Sequence, residues 1–170
     1  MSEPQIQIVT EHDEPLRASN KHDAYINGSF HRMARVMVED GNGRILLQKR
    51  AKHMEMYPDR WDNSAAGYVD DGEDYLTAAL RELNEEIGLS NVTLTSLGYY
   101  RSSSMFDWRH LNRFNQVYKL IVDQDTKFKL KADEGAAVEW YTLSEIRRLT
   151  TEHPELCTDG LIEVIKRFYK

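Results

Sequence analysis

The feature that most constrains how this chain folds is the segment GYVDDGEDYLTAALRELNEEIGL, which runs from Gly67 to Leu89. Asp74 can accept a hydrogen bond at the start of a helix, and Gly88 can end that helix in the left-handed conformation. Between them, apolar side chains recur at intervals of three and four, at Leu76, Ala79, Leu80, Leu83 and Ile87. This spacing predicts an amphipathic helix whose apolar stripe faces the core.

Three glutamates share another face of the same helix. Glu82, Glu85 and Glu86 stand at positions i, i+3 and i+4, so their carboxylates project together and repel one another. Converging carboxylates are ligands for hard divalent cations, of which Mg²⁺ and Mn²⁺ also bind phosphates. Glutamate-rich helix faces also occur as solvated surfaces. Spacing alone therefore leaves a metal site and a solvated face as open alternatives.

The rest of the chain predicts strands on both sides of this helix. Residues 31–40 and 45–50 read as a hairpin, and residues 92–102 and 113–123 read as two longer strands joined by a loop that carries Trp108. Residues 136–141 read as a last strand, followed by helical patterns at 142–149 and 159–170. The expected fold class is α+β, with a mixed β-sheet sandwiched between α-helices.

The bulk properties limit the kind of protein this is. The 170 residues suit one domain, 1–170, with residues 1–30 as an N-terminal extension packed on it. A net charge of −6 argues against partners such as nucleic acid or an anionic membrane. Cys157 is the sole cysteine, which excludes an intrachain disulfide. No charged segment followed by an apolar run opens the chain, so we expect a cytoplasmic protein.

The segment 67–89 resembles the Nudix box. That pattern is Gly, five residues, Glu, seven residues, Arg-Glu, an aliphatic residue, any residue, Glu-Glu, any residue, Gly and an aliphatic residue. Its fixed positions are filled here by Gly67, Glu73, Arg81, Glu82, Leu83, Glu85, Glu86, Gly88 and Leu89. The resemblance implies a Nudix fold and a hydrolase that uses a divalent metal, Mg²⁺ or Mn²⁺, to cleave a diphosphate.

The resemblance also implies roles for individual residues. Glu82, Glu85 and Glu86 match the metal-ligand positions, and the catalytic candidates that orient or deprotonate water are Glu82 and Glu85. The carbonyl of Ala66 or Gly67 is expected to complete the coordination.

Other positions of the pattern are implied to be structural. Glu73 and Arg81 are expected to pair with each other and brace the loop, and Gly67 and Gly88 occupy the box's fixed glycine positions. Glu134 stands where several family members supply a further metal-binding carboxylate from a loop.

One branch of the family, which includes isopentenyl diphosphate isomerase, is the most similar to the remaining sequence. That enzyme uses a cysteine, a histidine and a Glu-x-Glu pair. Ala66 stands here at the cysteine position, Tyr68 at the histidine position, and Phe114 and Gln116 at the glutamate positions. Of the histidines that bind metal in that enzyme, only one has a counterpart in this chain, His31. A methyl group cannot replace a thiol in proton transfer, so we interpret the chain as a hydrolase on an isomerase-like scaffold.

Substrate contacts are expected from cations and aromatic rings near the box. Arg50, Lys52 and Arg60 could hold phosphates, while Tyr68 and Trp108 could cover a base or an apolar group. The leading hypothesis is a Mg²⁺-dependent hydrolase of a nucleoside diphosphate derivative or a related diphosphate. The alternatives are an isoprenoid diphosphate isomerase and a non-catalytic nucleotide-binding domain. The expected partner is a small-molecule diphosphate, and the sequence leaves monomer and homodimer open.

Overall fold

The structure is a computed structural model that describes residues 4–170; residues 1–3 of the expected N-terminal extension lie outside this range. The strands are β1 (Ile6–Val9), β2 (Pro15–Ser19), β3 (His31–Glu39), β4 (Arg44–Arg50), β5 (Trp61–Asp62), β6 (Ala65–Tyr68), β7 (Thr95–Phe106), β8 (Arg109–Ile121) and β9 (Gly135–Thr142). The helices are α1 (Lys21–Ile26), α2 (Tyr75–Ile87), α3 (Leu143–Glu152) and α4 (Asp159–Phe168), with a 3₁₀ turn at Pro154–Leu156. Within residues 4–170, no helix is long and apolar enough to cross a membrane.

Strand β3 lies at the centre of a mixed sheet. One of its edges pairs with β8 in parallel over its whole length, from His31 opposite Arg113 to Glu39 opposite Ile121. Its other edge pairs antiparallel with β1, β6 and β4 in turn. Strand β4 continues the sheet by pairing with β5 and β9, while β7 pairs with β8. The fold class predicted from the sequence is confirmed.

Alternation along β3 gives the sheet two apolar faces. Val36 and Val38 pack toward α2, where they meet Ala79, Leu83 and Ile87. On the opposite face, a second cluster joins the sheet to α3 and α4 through Met37, Ile45, Leu47, Ile146, Leu161, Val164 and Ile165. Because successive strand residues point to opposite sides, one strand supports helices on both faces. The sheet is therefore sandwiched between helices.

Helix α2 has the ends expected from its sequence. The side chain of Asp74 accepts a hydrogen bond from the backbone N–H of Thr77, and Gly88 ends the helix with a φ of 76°. The expected apolar stripe is wrong at one position, because Leu76 is 44% exposed. Tyr75 packs against the core in its place and donates a hydrogen bond to Asp13. The helix is thus rotated so that Leu76 faces outward.

The loop expected around Trp108 is also shorter than the sequence suggested. Strands β7 and β8 pair from Gly98 opposite Val117 up to Phe106 opposite Arg109, beyond a bulge at residues 96–98, which leaves only Asp107 and Trp108 as a tight turn. Asp107 adopts a φ of 57°, the left-handed conformation that such hairpin turns require. Trp108 therefore lies at the tip of a long hairpin rather than in a loop.

Candidate active site

Helix α2, strand β6 and the turn before β9 enclose one cleft, which we call the carboxylate cleft. Its acidic lining residues are Asp70, Glu82, Glu85, Glu86 and Glu134. Its basic lining residues are Lys21, Arg50, Arg81 and Lys131. The backbone at Ala66 and Gly67 forms its floor. All the side chains and backbone positions that the sequence suggested as metal ligands are thereby brought together.

Gly67 is essential to this geometry. A Cβ atom added at residue 67 would overlap the carboxylate of Glu82, so any side chain there would displace one or the other. Strand β6 pairs with β3, opposite Ala34, which fixes the position of the Gly67 backbone. The absence of a side chain at this glycine is what allows the Glu82 carboxylate to lie against the strand.

Glu86 is the most deeply buried of the glutamates, with 7% of its surface exposed. Its Oε2 accepts hydrogen bonds of 3.3 Å from the Ala66 backbone N–H and from Gln48 Nε2. Burial, followed by the negative charge of Glu82, raises the pKa of Glu86 well above its ordinary value. Burial likewise raises the pKa of Glu82. The cleft therefore contains several carboxylates whose negative charge is poorly solvated. A bound cation would compensate this charge.

Arg81 ties the loop before α2 to the helix. Its Nε and Nη2 donate hydrogen bonds of 2.9 Å to the two carboxylate oxygens of Glu73, and Nη2 also donates to the Tyr68 carbonyl at 2.9 Å. Glu73 in turn accepts a hydrogen bond from the Asp70 backbone N–H. The bidentate pair expected from the sequence is thus present, and its bracing role stays a prediction.

Two of the carboxylates are engaged by cations of the chain itself. Arg81 Nη1 lies 2.6 Å from Glu82 Oε1, and Lys131 Nζ lies 2.6 Å from Glu134 Oε1. Glu85 is freer, with a side chain that is 44% exposed and 3.9 Å from Arg81. Nowhere in residues 4–170 do three carboxylate, imidazole or thiol groups converge closely enough to hold a metal as they stand. The predicted metal site therefore requires side-chain rotations that release these pairs.

The donor chemistry nevertheless fits a hard divalent cation. The cleft offers carboxylate oxygens from α2 and from Glu134, backed by carbonyls at Ala66 and Gly67, and lacks the thiol donors that would favour a softer metal. The residues that would hold Mg²⁺ or Mn²⁺ are Glu82, Glu85 and Glu86, with Glu134 as a further ligand. This assignment stays a prediction.

A second cleft opens beside the first and shares Lys21, Arg50, Met54 and Tyr68 with it. We call it the aromatic cleft. It has a volume of about 570 Å³, and its remaining lining residues are His22, Tyr25, His53, Glu55, Met56, Trp108 and Arg109. Trp108 is 39% exposed and contacts His22 edge-to-face at 5.2 Å. Three of the expected substrate contacts, Arg50, Tyr68 and Trp108, thus line one continuous groove.

The other two expected phosphate contacts do not line either cleft. Lys52 is exposed in the turn that follows β4. Arg60 lies over the ring of Tyr57, at 5.2 Å, and points to the carbonyl of Cys157. Both cations therefore lie outside the two clefts, although residues 53–56 between them line the aromatic cleft. Their role as substrate contacts stays a prediction that the two clefts do not support.

Residues that the sequence did not suggest complete the groove. Lys21, His22 and Tyr25 come from α1, in the N-terminal extension, and Arg109 comes from the start of β8. Their approach depends on how α1 packs against β8 and β6, which no local pattern reveals. Tyr25 and Tyr68 meet through their hydroxyl groups in this packing.

The β8 side chains that share a sheet face with Ala66 differ from those that an isomerase would need there. Phe114 stacks on Tyr99, and Gln116 donates a hydrogen bond to Ser96, so both lie on the side away from Ala66. The β8 residues on the same side as Ala66 and Tyr68 are instead Arg113 and Asn115.

Contacts of these two residues establish that orientation. Arg113 lines a small cavity together with Ala66 and Tyr68, and Asn115 accepts a hydrogen bond of 2.9 Å from Arg35. On β8, Arg113 and Asn115 therefore share a face with Ala66, whereas Phe114 and Gln116, the positions matched to the isomerase glutamates, lie on the other face. Neither Arg113 nor Asn115 is a carboxylate, so the glutamate pair of an isomerase is still missing.

His31 is fully buried and is not exposed to either cleft. Its Nδ1 lies 3.1 Å from the Ser29 carbonyl, and burial lowers its pKa to about 4. A neutral imidazole held in this way supports packing at the start of β3. The one histidine that could match an isomerase ligand is thus a core residue.

Known proteins resemble this chain in sequence. The family model described as the NUDIX domain matches residues 29–158. An uncharacterized Nudix hydrolase of Salmonella typhi, YfcD, is 29% identical over 156 residues, which cover 92% of this chain and 80% of that protein. An isopentenyl-diphosphate Delta-isomerase of Nocardia farcinica is 32% identical over 141 residues, which cover 82% of this chain and 79% of that protein.

Solved structures resemble it in fold. The crystal structure of DR0079 from Deinococcus radiodurans has a TM-score of 0.80 at 21% identity, covering 98% of this chain and 99% of that chain. The NUDIX domain of Shewanella oneidensis NrtR, complexed with ADP ribose, has a TM-score of 0.61 at 16% identity, covering 82% of this chain and 88% of that chain. At these identities the similarity shows the fold alone.

Proposed function

Because this chain belongs to the Nudix family, in a branch whose relatives include proteins named as isopentenyl-diphosphate isomerases, we propose that it is a Mg²⁺-dependent hydrolase. Its substrate is a nucleoside diphosphate derivative or a related diphosphate. The observation that carries this proposal is the carboxylate cleft, where Glu82, Glu85 and Glu86 of one helix face Glu134 and the Gly67 backbone. The groove beside it is large enough for the group attached to the diphosphate.

The chemistry follows from the charges in the cleft. When bound, Mg²⁺ supplies charge neutralisation for the diphosphate and lowers the pKa of a water molecule. Glu86 is held by hydrogen bonds from the Ala66 backbone N–H and from Gln48, which suits a fixed ligand, whereas Glu82 becomes a ligand when it turns away from Arg81.

Glu85 suits a different task. Its carboxylate is half exposed and has only a long contact, 3.9 Å, to Arg81, so it can turn toward a water molecule. We assign to Glu85 the orientation and deprotonation of the attacking water. Arg81 is held by Glu73 through two hydrogen bonds of 2.9 Å, whereas the contact of Arg50 with Asp62 is longer, at 3.3 Å, so we assign the phosphate contact to Arg50.

The N-terminal extension is part of the proposed enzyme. Lys21, from α1, lines both clefts, while β1 pairs with β3 and thereby holds α1 in place. We therefore propose that residues 1–170 act as one domain, and that a protein shortened to the family match at residue 29 loses a wall of its substrate groove.

The test is a panel of diphosphates assayed for phosphate or nucleotide release with and without Mg²⁺. At least one compound is expected to be hydrolysed only with the metal. Glu82→Gln and Glu85→Gln should lower that activity at least about a hundredfold, the usual scale for a general base or a metal ligand. Glu152→Gln, an exposed change on α3, is the matched control. Circular dichroism checks each fold, and full activity in both cleft variants would refute the mechanism.

A second candidate function, isomerisation of isopentenyl diphosphate, is favoured by the names of the relatives. The side chains on the sheet face that Ala66 shares with β8 argue against it. This face offers no thiol, imidazole or carboxylate at Ala66, Tyr68, Arg113 and Asn115. Incubation in deuterated water with isopentenyl diphosphate and saturating Mg²⁺ separates the two functions. We expect no exchange of deuterium into the recovered substrate.

A third candidate is a nucleotide-binding domain without catalysis. It is favoured by the fold similarity to the NrtR domain, which was solved with ADP ribose. Calorimetric titration with ADP ribose and with each compound of the panel tests it. Tight binding of a compound that is never turned over would replace the hydrolase proposal.

A further inference from the structure

Lys131 differs from the other cations that reach the carboxylate cleft. Arg81 is fixed by two hydrogen bonds to Glu73, and its guanidinium has little freedom to move. The side chain of Lys131 is 41% exposed, and its Nζ lies 2.6 Å from Oε1 of Glu134. Lys131 is therefore a cation that can leave its carboxylate without breaking the scaffold.

The backbone of the turn that carries both residues is anchored. The N–H of Lys131 donates a hydrogen bond of 3.0 Å to the Glu86 carbonyl at the end of α2. The N–H of Ala51 donates one of 2.9 Å to the Glu134 carbonyl, and the N–H of Gly135 donates one of 3.1 Å to the Lys131 carbonyl. Since the backbone is held at both ends, side-chain rotation alone can separate the Lys131 ammonium from the Glu134 carboxylate.

Lys131 also sits in the field of the glutamates on α2. It lines the cleft together with Glu82, Glu85 and Glu134. The ammonium group therefore faces the same carboxylates that a divalent cation would need.

We propose that Lys131 is a positioning residue that competes with the divalent cation for Glu134, holding this carboxylate beside the cleft until the cation takes it. The inference rests on the proposed function, because it takes the carboxylate cleft as the metal site. It goes beyond that function by assigning to this chain an internal counter-ion that sets the metal affinity. Two opposite changes in affinity follow. Removing the Lys131 charge should tighten metal binding, and removing the Glu134 carboxylate should weaken it.

The experiment is a titration of the full-length protein with Mn²⁺, in which the free ion is measured by electron paramagnetic resonance. Lys131→Met should bind Mn²⁺ about two- to fivefold more tightly than the wild type, the scale of one partly exposed ion pair. Lys131→Arg keeps the charge and should match the wild type. Lys127→Met is the matched control, because Lys127 is exposed on the same connecting segment. Equal affinities of Lys131→Met and the wild type would overturn the inference.

A double variant separates competition from simple charge repulsion. If Lys131 acts through Glu134, then Lys131→Met should change the Mn²⁺ affinity much less in a Glu134→Gln background. An undiminished effect in that background would show that Lys131 merely repels the ion, and the competition would be wrong. Thermal unfolding without metal confirms that each variant is folded.

The titration requires no turnover. A failure to hydrolyse any diphosphate would therefore refute the proposed function while the Mn²⁺ affinities still decide the role of Lys131. Conversely, hydrolysis in the panel with unchanged Mn²⁺ affinity in Lys131→Met would leave the function standing and remove the inference.

Discussion

Gly67 and Glu82 lie so close together that a Cβ atom on residue 67 would occupy the space of the Glu82 carboxylate. Gly67→Ala should therefore push Glu82 out of the cleft, weaken Mn²⁺ binding and lower kcat/KM by at least about tenfold, as expected for a misplaced metal ligand. Manganese titration and steady-state kinetics measure these effects.

The same variant should also unfold at a lower temperature than the wild type. Adding Glu82→Ala to Gly67→Ala removes the overlapping group, so the double variant should regain much of the lost thermal stability without regaining activity. If the double variant is as unstable as Gly67→Ala, the overlap with Glu82 is not the cause.

The pair of Glu73 and Arg81 should stabilise the loop before α2. Glu73→Gln removes the charge of a side chain that accepts two hydrogen bonds from Arg81 and one from the Asp70 backbone N–H, and should lower the free energy of unfolding by about 1–3 kcal/mol. Chemical denaturation measures this change. Asp71→Asn, an exposed change in the same loop, serves as the control and should have little effect.

The pH dependence of that stabilisation has a defined sign. The hydrogen bond from Arg81 lowers the pKa of Glu73 below its ordinary value of 4.5. Its contribution is therefore complete above that value and is lost as the pH falls through the lower pKa of the folded protein. The stability difference between the wild type and Glu73→Gln should shrink below pH 4.5. A difference that is the same at every pH would contradict this assignment.

Glu86 should have the opposite effect, since burial raises its pKa well above 4.5. The folded protein then holds the proton more tightly than the unfolded chain, and stability decreases as the pH rises from 4.5 through the raised value. Glu86→Gln should therefore be more stable than the wild type at neutral pH, by about 1–3 kcal/mol, the scale of one poorly satisfied buried charged group.

The effect of divalent metal on the melting temperature tests whether the Glu86 carboxylate serves metal binding rather than stability. Mg²⁺ should raise the melting temperature of the wild type and have little effect on Glu86→Gln, because binding to the folded state alone stabilises it. Glu152→Gln should respond to Mg²⁺ as the wild type does. Destabilisation of Glu86→Gln at neutral pH would show that its carboxylate is needed for packing.

Trp108 should contribute to substrate binding more than to stability. Its indole is 39% exposed at the tip of the β7–β8 hairpin and lines the aromatic cleft. Trp108→Ala should raise KM about three- to tenfold, consistent with the loss of one stacking contact, and leave the melting temperature nearly unchanged. Met105→Ala, 60% exposed on the same hairpin, is the control. An unchanged KM would exclude Trp108 as a substrate contact.

The parts of the molecule that depend on local sequence were predictable. The ends of α2 follow from Asp74 and Gly88, and the proximity of the glutamates on α2 follows from helical spacing. The pair of Glu73 and Arg81 was expected only from the resemblance to the Nudix box.

Features set by distant packing were not predictable. Strand pairing has a period of two, so an error of one residue moves a side chain to the other face, and the sequence alone does not show that Arg113 rather than Phe114 shares a face with Ala66. Leu76 was misplaced because Tyr75, through Asp13 of the N-terminal extension, fixes the rotation of α2. Lys21 entered the site only through the packing of α1, for which the sequence carried no signal.

The parallel pairing of β3 with β8 has a consequence for how the protein forms. Arg35 and Asn115 are joined by a hydrogen bond although they are 80 residues apart in the chain. Pairings this distant in sequence close slowly, because the intervening chain must be ordered before they form. Helix α2 can form early from its own sequence, but the centre of the sheet beneath it forms only when β8 pairs with β3. We therefore expect refolding to be limited by this strand, with helical signal recovered before the groove can bind a ligand.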